Sequence, residues 1–177
     1  LKTLLVEMLQ YGARAQLFFD YHTEMLSDSG LTSEQLGYAT STPVTDKDML
    51  TGDESANEVT MLGYSLVLDD AVSLKVYFSS EVNWTCERME ISYENIAGET
   101  VYEKVWAEDF TDESDGVYSV TVNNLALFDC FSPIQFTVTR NGRSVGPSLV
   151  CSASTYAGRA ENAGVKKLND LTASMMK

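Results

Sequence analysis

The sequence predicts a mainly β protein with terminal helices (α+β): an immunoglobulin- or fibronectin-like antiparallel β-sandwich of about seven strands, with one helix before it and one after. Three observations predict this. Apolar residues recur every second position between Val59 and Cys151. They recur at three- and four-residue steps in residues 1–19 and 152–177. An Asn141-Gly142 pair stands between two alternating runs, the strongest short hairpin signal because both central residues of a type I′ turn need positive φ.

The opening helix is read from Leu1, Leu4, Leu5, Met8, Leu9, Gly12, Ala15 and Phe19, which share one face. Gly12 costs about 1 kcal/mol relative to Ala inside a helix, so its presence beside Ala13 and Ala15 predicts that another element packs closely there. The expected neighbour is the C-terminal helix or the sandwich. "DYHTEMLSDSG" (20–30) ends the helix, and "LTSEQL" (31–36) adds a helical turn capped by Thr32 or Ser33. These form an N-terminal helical segment, 1–36. A Pro/Gly/Asp/Ser-rich connector, 37–58, follows.

The sandwich, 59–151, begins with "SLVL-DD-VSLKVYF", a hairpin with Val72, Leu74, Val76 and Phe78 on one face. "WTCERMEISY", "TVYEKVWA", "VYSVTVNNL", "IQFTVTR" and "RSVGPSLVC" supply the remaining strands. A two-residue turn at Asn141-Gly142 sets Arg140 opposite Arg143, Val138 opposite Val145, Phe136 opposite Pro147, Ile134 opposite Leu149 and Ser132 opposite Cys151. Cys130 then becomes the diagonal neighbour of Cys151, about 7–8 Å away, too far for an easy disulfide. Two buried, unbridged thiols are expected there, with Cys86 apart from them. The C-terminal helix, 152–177, carries the stripe Tyr156, Ala160, Leu168, Leu171 and Met175, capped by Ser152 or Ser154.

The end of the chain resembles its start. Leu1, Leu4 and Met8 fall on Leu168, Leu171 and Met175, and Leu9 falls on Met176. The 177 residues therefore read as one repeat module, running from mid-helix to mid-helix of a longer polypeptide.

Composition bounds the chemistry. The net charge of -14, from 26 acidic and 12 basic residues, repels phosphate backbones and argues against nucleic acid as a partner. No apolar run approaches the ~20 residues of a membrane span, so no membrane insertion is expected. The three cysteines fit neither zinc spacing nor a C-x-x-C motif. His22 is the sole histidine, so a His-based zinc site, or a Ser-His-Asp or Cys-His set, would need it close to partners contributed from elsewhere in the chain. It is read as a surface or capping residue. "GYSLV" lacks the second glycine of a nucleophile elbow. The acidic cluster Asp46, Asp48, Asp53, Glu54 breaks the calcium-loop pattern; Asp109, Asp112, Glu113 and Asp115 lie in a strand connection and read as a solvated loop in preference to a calcium site. No enzyme, cofactor or metal site is expected.

One surface chemistry remains. Trp84, Trp106, Tyr93, Tyr102 and Tyr118 lie in or beside predicted strands, where rings stack on sugar faces in some modules and pack cores in others. Trp84 and Trp106 are the expected glycan contacts, one of the two tryptophans being buried and the other exposed.

"LLVEMLQYGARAQLFFDYHTEMLSDSGL" is also similar to a segment of large secreted proteins of anaerobic gut bacteria. There a helix of pattern L-x-x-x-L-L-x-Y-G-A-A-A-Q-x-Y-F-x-Y-N-T-D-x-L-A-N-x-G-L precedes a β-rich module. Leu9, Tyr11, Gly12, Ala13, Ala15, Gln16, Phe19, Tyr21, Thr23, Leu26, Gly30 and Leu31 fall on it. Arg14, His22, Glu24 and Ser27-Asp28 depart from it. "VYSVTVNNLALFDCFSPIQFTVTRNGRSVGPSLVCSASTYA" resembles the closing strands of that family, running into its S-x-x-x-Y-A helix; residues 40–115 resemble it little. The resemblance implies a secreted or cell-surface, non-catalytic module acting as spacer, scaffold or protein-binding unit, sometimes beside enzyme or dockerin domains. Its partners would be other modules of the same polypeptide, a surface protein or a glycan. It carries no catalytic residues across.

Overall fold

A computed structural model describes residues 1–38, 47–52, 58–68, 71–80, 87–95, 97–126, 129–161 and 165–175. Trp84 and Cys86, with Asp46, Asp53 and Glu54 of the first acidic cluster, lie outside the described residues. The chain divides into two compact units, Lys47–Tyr156 and a helical one made of Leu1–Asp46 with Ala157–Lys177.

The β unit holds two antiparallel sheets around one core, an arrangement consistent with a β-sandwich. Its strands are β1 (Met49–Thr51), β2 (Val59–Leu68), β3 (Val72–Ser80), β4 (Glu87–Glu94), β5 (Thr100–Trp106), β6 (Thr111–Ser114), β7 (Val117–Leu125), β8 (Ile134–Arg140), β9 (Arg143–Ser144) and β10 (Ser148–Cys151). One sheet has the order β1-β10-β8-β4-β5, with β9 also on β8; the other runs β2-β3-β7-β6. Alternation drives both. Leu74, Val76 and Phe78 of β3, Met89 and Ile91 of β4, and Ile134, Phe136 and Val138 of β8 all point into the shared core, where burial of each large side chain contributes roughly 1.5–3 kcal/mol.

The β2–β3 hairpin forms as the pattern predicts, pairing Leu66 with Leu74 and Tyr64 with Val76. Two short strands are additions to the seven expected, and the last expected strand is split into β9 and β10. β1 falls in the segment read as a connector, and β6 in the acidic stretch read as a loop, after a 3-10 turn at Ala107–Asp109.

The Asn141-Gly142 turn has positive φ at both residues and pairs Arg140 with Arg143; the Val145 amide donates to the Val138 carbonyl at 3.1 Å. Beyond that the expected register fails by two residues. Leu149, not Pro147, opposes Phe136, and Cys151 opposes Ile134, not Ser132. The cause is local. The Val145 carbonyl accepts from the amides of Glu58 and Val59 at 3.1 and 3.2 Å, so the chain leaves β8 there to meet β2. A Cβ on Gly146 would stand 2.5 Å from the Val59 carbonyl oxygen, so only glycine allows the approach. A slip of two preserves side-chain parity, and Leu149 and Cys151 still face inward. Cys130 sits in a 3-10 turn, Asp129–Phe131, rather than on a strand. It and Cys151 are buried in the same core and are not joined in a disulfide.

The helical unit contains α1 (Lys2–Phe19), α2 (Ser33–Leu36) and α4 (Lys166–Met175); α3 (Ala153–Glu161) leads out of the β unit. The single C-terminal helix expected is thus two. Ser152 caps α3, its hydroxyl accepting from the Thr155 amide at 3.1 Å while the Thr155 hydroxyl accepts from the Ser152 amide at 2.9 Å. Thr32 caps α2 in a reciprocal box with Gln35.

α1 packs on α4, as expected of two terminal helices, but through a different side than expected. The residues α1 buries are Val6 and Ala13, while Leu1, Leu4, Leu5 and Met8 are exposed. The close contact at Gly12 is also not the C-terminal helix. A Cβ there would stand 2.6 Å from the Ser27 hydroxyl, which donates to the Leu9 carbonyl at 2.7 Å. Gln16 holds the same loop, its side chain donating to the carbonyls of His22 and Met25, both at 3.1 Å, and accepting from the Ser27 amide at 2.8 Å. Gly12 and Gln16, one helical turn apart, fold residues 20–29 back along α1.

Candidate functional site

The outer face of β4 and β5 collects the aromatic and charged side chains of one strand pair. The period of two puts Tyr102, Lys104 and Trp106 on the same side of β5. Register places Trp106 opposite Arg88, Lys104 opposite Glu90 and Tyr102 opposite Ser92. On the far side of β4, Arg88 faces Thr139, Glu90 faces Thr137 and Ser92 faces Gln135, and the Thr137 hydroxyl bonds to that of Ser148 at 2.6 Å.

Trp106 is 47 % exposed and Tyr102 51 %. The Arg88 guanidinium lies over the indole, 5.4 Å from its centroid, and donates to the Glu90 carboxylate at 2.8 Å. Lys104 lies over the Tyr102 ring at 5.2 Å. Burial raises the Glu90 carboxyl, but hydrogen bonds from Tyr102 and Arg88 and the charges of Arg88 and Lys104 outweigh it and hold the group below the ordinary carboxylate range. The hydrogen bond to Glu90 pushes the Tyr102 phenol up. The indole is therefore covered by a guanidinium that a carboxylate holds, the Tyr102 phenol bonds to that same carboxylate, and Trp106 keeps much of its surface for solvent.

Of the five aromatic residues singled out from the sequence, the structure brings Trp106 and Tyr102 together on this face. Tyr93 and Tyr118 are half-buried against the core. Arg88, Glu90 and Lys104 are the residues the sequence reading missed. Their even spacing with Trp106 and Tyr102 was visible, but which strand lies beside which was not.

The other polar clusters are engaged within the fold. Glu113 accepts from Lys75 at 2.6 Å and from the Ser119 hydroxyl at 2.7 Å, contacts that lower its carboxyl and raise the Lys75 amine. Asp112 accepts from the Ser114 amide at 2.8 Å, shaping the turn at Ser114–Gly116. Among the described residues no three His, Cys, Asp or Glu side chains cluster as a metal site would need, and no helix is long and apolar enough to cross a membrane. His22 lies in the loop held by Gln16, its Nδ1 2.8 Å from Glu24. Burial and the Asp129 charge push the Cys130 thiol up, which suppresses the nucleophilic thiolate.

No protein-family model matches the chain, and no curated protein matches it.

Proposed function

We propose that this chain is a non-catalytic repeat module of a secreted or surface-anchored bacterial protein, serving as spacer, scaffold or protein-binding unit. The observation that carries the reading is the apolar face of α1: Leu1, Leu4, Leu5 and Met8 form a contiguous exposed stripe, of the kind that marks a surface meant for another polypeptide. The resemblance to secreted gut-bacterial modules adds support. Gly12 and Gln16, which lie on that pattern, hold the loop 20–29. His22 stands at φ 49° where the pattern has Asn, and both residue types are enriched in that conformation.

An immunoglobulin-type sandwich is the finer fold we assign. It is supported by strand order: β2-β3-β7-β6 and β10-β8-β4 follow the order of strands A-B-E-D and G-F-C, with β5 added beside β4 as variable-type domains add a strand.

A second reading, a carbohydrate-binding module, is favoured by the exposed Trp106 and Tyr102. Four residues apart on a strand, they stand about 13 Å from one another, a spacing suited to an oligosaccharide rather than a single sugar. Affinity electrophoresis through gels containing soluble polysaccharides separates the two readings. The module reading expects equal mobility for the wild type and Trp106→Ala in every gel. Retardation that the Trp106→Ala variant loses replaces it with the glycan reading. The secreted or surface location is tested by protease shaving of intact cells, and recovery of the chain in the cytosolic fraction alone would overturn it.

A further inference from the structure

The first half of α1 and the body of α4 carry one pattern and meet opposite fates. Leu1, Leu4 and Met8 coincide in sequence phase with Leu168, Leu171 and Met175. In α4 the stripe is covered: Leu171 is 0 % exposed, and Leu168 and Met175 are half-buried. In α1 the same stripe is open, with Leu1 92 %, Leu4 55 % and Met8 60 % exposed, and Leu5 beside them at 52 %.

The two helices pack on each other. The side that α1 buries is that of Val6 and Ala13. At about 100° per residue, this side lies nearly opposite the Leu1, Leu4 and Met8 stripe. α1 thus packs on α4 and buries one face, and on a second face it carries the same stripe that is covered in α4. A surface that receives on one side what it presents on the other makes a head-to-tail contact, which propagates from copy to copy. Stacked repeats bury a continuous core in this way.

We infer that the exposed stripe of α1 is the seat of a preceding copy of this module, and that consecutive copies share a helix: α4 of one copy is the first half of α1 of the next. The occupant is the Val6 and Ala13 face of the preceding copy's α1. The inference rests on the repeat-module reading above and adds its geometry. It also accounts for the break between the exposed start of α1 and the folded-back loop along its second half. The first half belongs to the interface between copies, and the second half, from Tyr11 onward, anchors the loop within one copy.

The test is a two-copy chain in which Lys177 is followed directly by Tyr11 of a second copy, compared with the same chain carrying one alanine at the junction. The insertion turns everything after it by about 100°, so the loop that Gly12 and Gln16 hold no longer lines up with the turn that carries the Leu9 carbonyl in the shared helix ahead of it. Thermal melting followed by near-ultraviolet circular dichroism is the readout. In the direct fusion both copies contribute native signal and melt in one transition, at or above the midpoint of the single chain. The inserted alanine splits the transition and lowers the trailing midpoint by about 5 °C, the scale of a modest local loss in a domain of this size. An insertion that is neutral or favourable, with native signal from both copies, overturns the shared helix and leaves the repeat-module reading standing as independent beads. A trailing copy without native signal in either chain overturns both.

Discussion

The β unit and the helical unit answer the same kind of sequence signal in opposite ways. In β3 the alternating residues Leu74, Val76 and Phe78 are buried to the last atom or nearly so. In α1 the stripe read from an equally regular period, Leu1, Leu4, Leu5 and Met8, faces solvent, while Val6 and Ala13 go inside. A period says which residues share a face; it does not say what covers that face. Each sheet of the β unit finds its cover in the opposite sheet of the same chain. α1 has α4 on one side, and its stripe lies on the other.

Truncations measure that difference most directly. Phe78 is fully buried, edge-on to Phe110 with ring centroids 5.1 Å apart and within 6.3 Å of Tyr118. Phe78→Ala should cost about 3–5 kcal/mol, the usual range for a core phenylalanine, read from the urea midpoint. Met8→Ala in the same single chain should stay within about 0.5 kcal/mol, as exposed positions do. Equal losses at the two sites would erase the contrast.

A smaller effect probes how the helical unit holds itself together. Gly12→Leu must displace the Ser27 hydroxyl, and with it the bond to the Leu9 carbonyl. The expected loss is about 1–3 kcal/mol, the range for overpacking. The contact is a side chain rather than backbone, so shortening it should help: combined with Ser27→Gly, the leucine should cost less than it does alone. A double-mutant cycle in urea reads the coupling. Additive losses would mean that the glycine answers to something other than Ser27.

Much of the β unit is legible in the sequence. The β2–β3 hairpin and the first two pairs of the β8–β9 turn follow from alternation and from Asn141-Gly142. The placement of Trp106 and Tyr102 on one face follows from their spacing alone. What lay hidden was non-local. The two-residue slip between β8 and β10 arises where Gly146 meets the Val59 carbonyl, a contact between segments far apart in sequence. Arg88 and Glu90 joined the candidate site only once β4 was known to lie beside β5. The strands β1 and β6 escaped because each is short and exposed on both faces, so neither leaves an apolar alternation. At Gly12 the small-residue signal was right about a close approach and silent about the partner, which proved to be a loop eighteen positions downstream of Leu9.

The smallest expected effect sharpens the contrast between the core of the β unit and its outer face. Glu90 is held below the ordinary carboxylate range in the folded chain, where the help of Tyr102, Arg88 and Lys104 outweighs its own burial. A folded-state value below the unfolded one means that the carboxylate stabilises the fold at pH above about 4.3, the unfolded reference. That contribution fades as pH falls through the lower folded value. Glu90→Gln should therefore be less stable than the wild type at pH 7, and the gap should narrow as the pH falls to 3. The gap should be under about 1 kcal/mol, since the pair with Arg88 is partly open to solvent, and it should shrink further in added salt. Urea midpoints of both proteins at the two pH values decide the matter. A deficit of the same size at pH 3 would show that Glu90 acts through its shape and hydrogen bonds rather than its charge, and the placing of Arg88 over the Trp106 ring would then need another source.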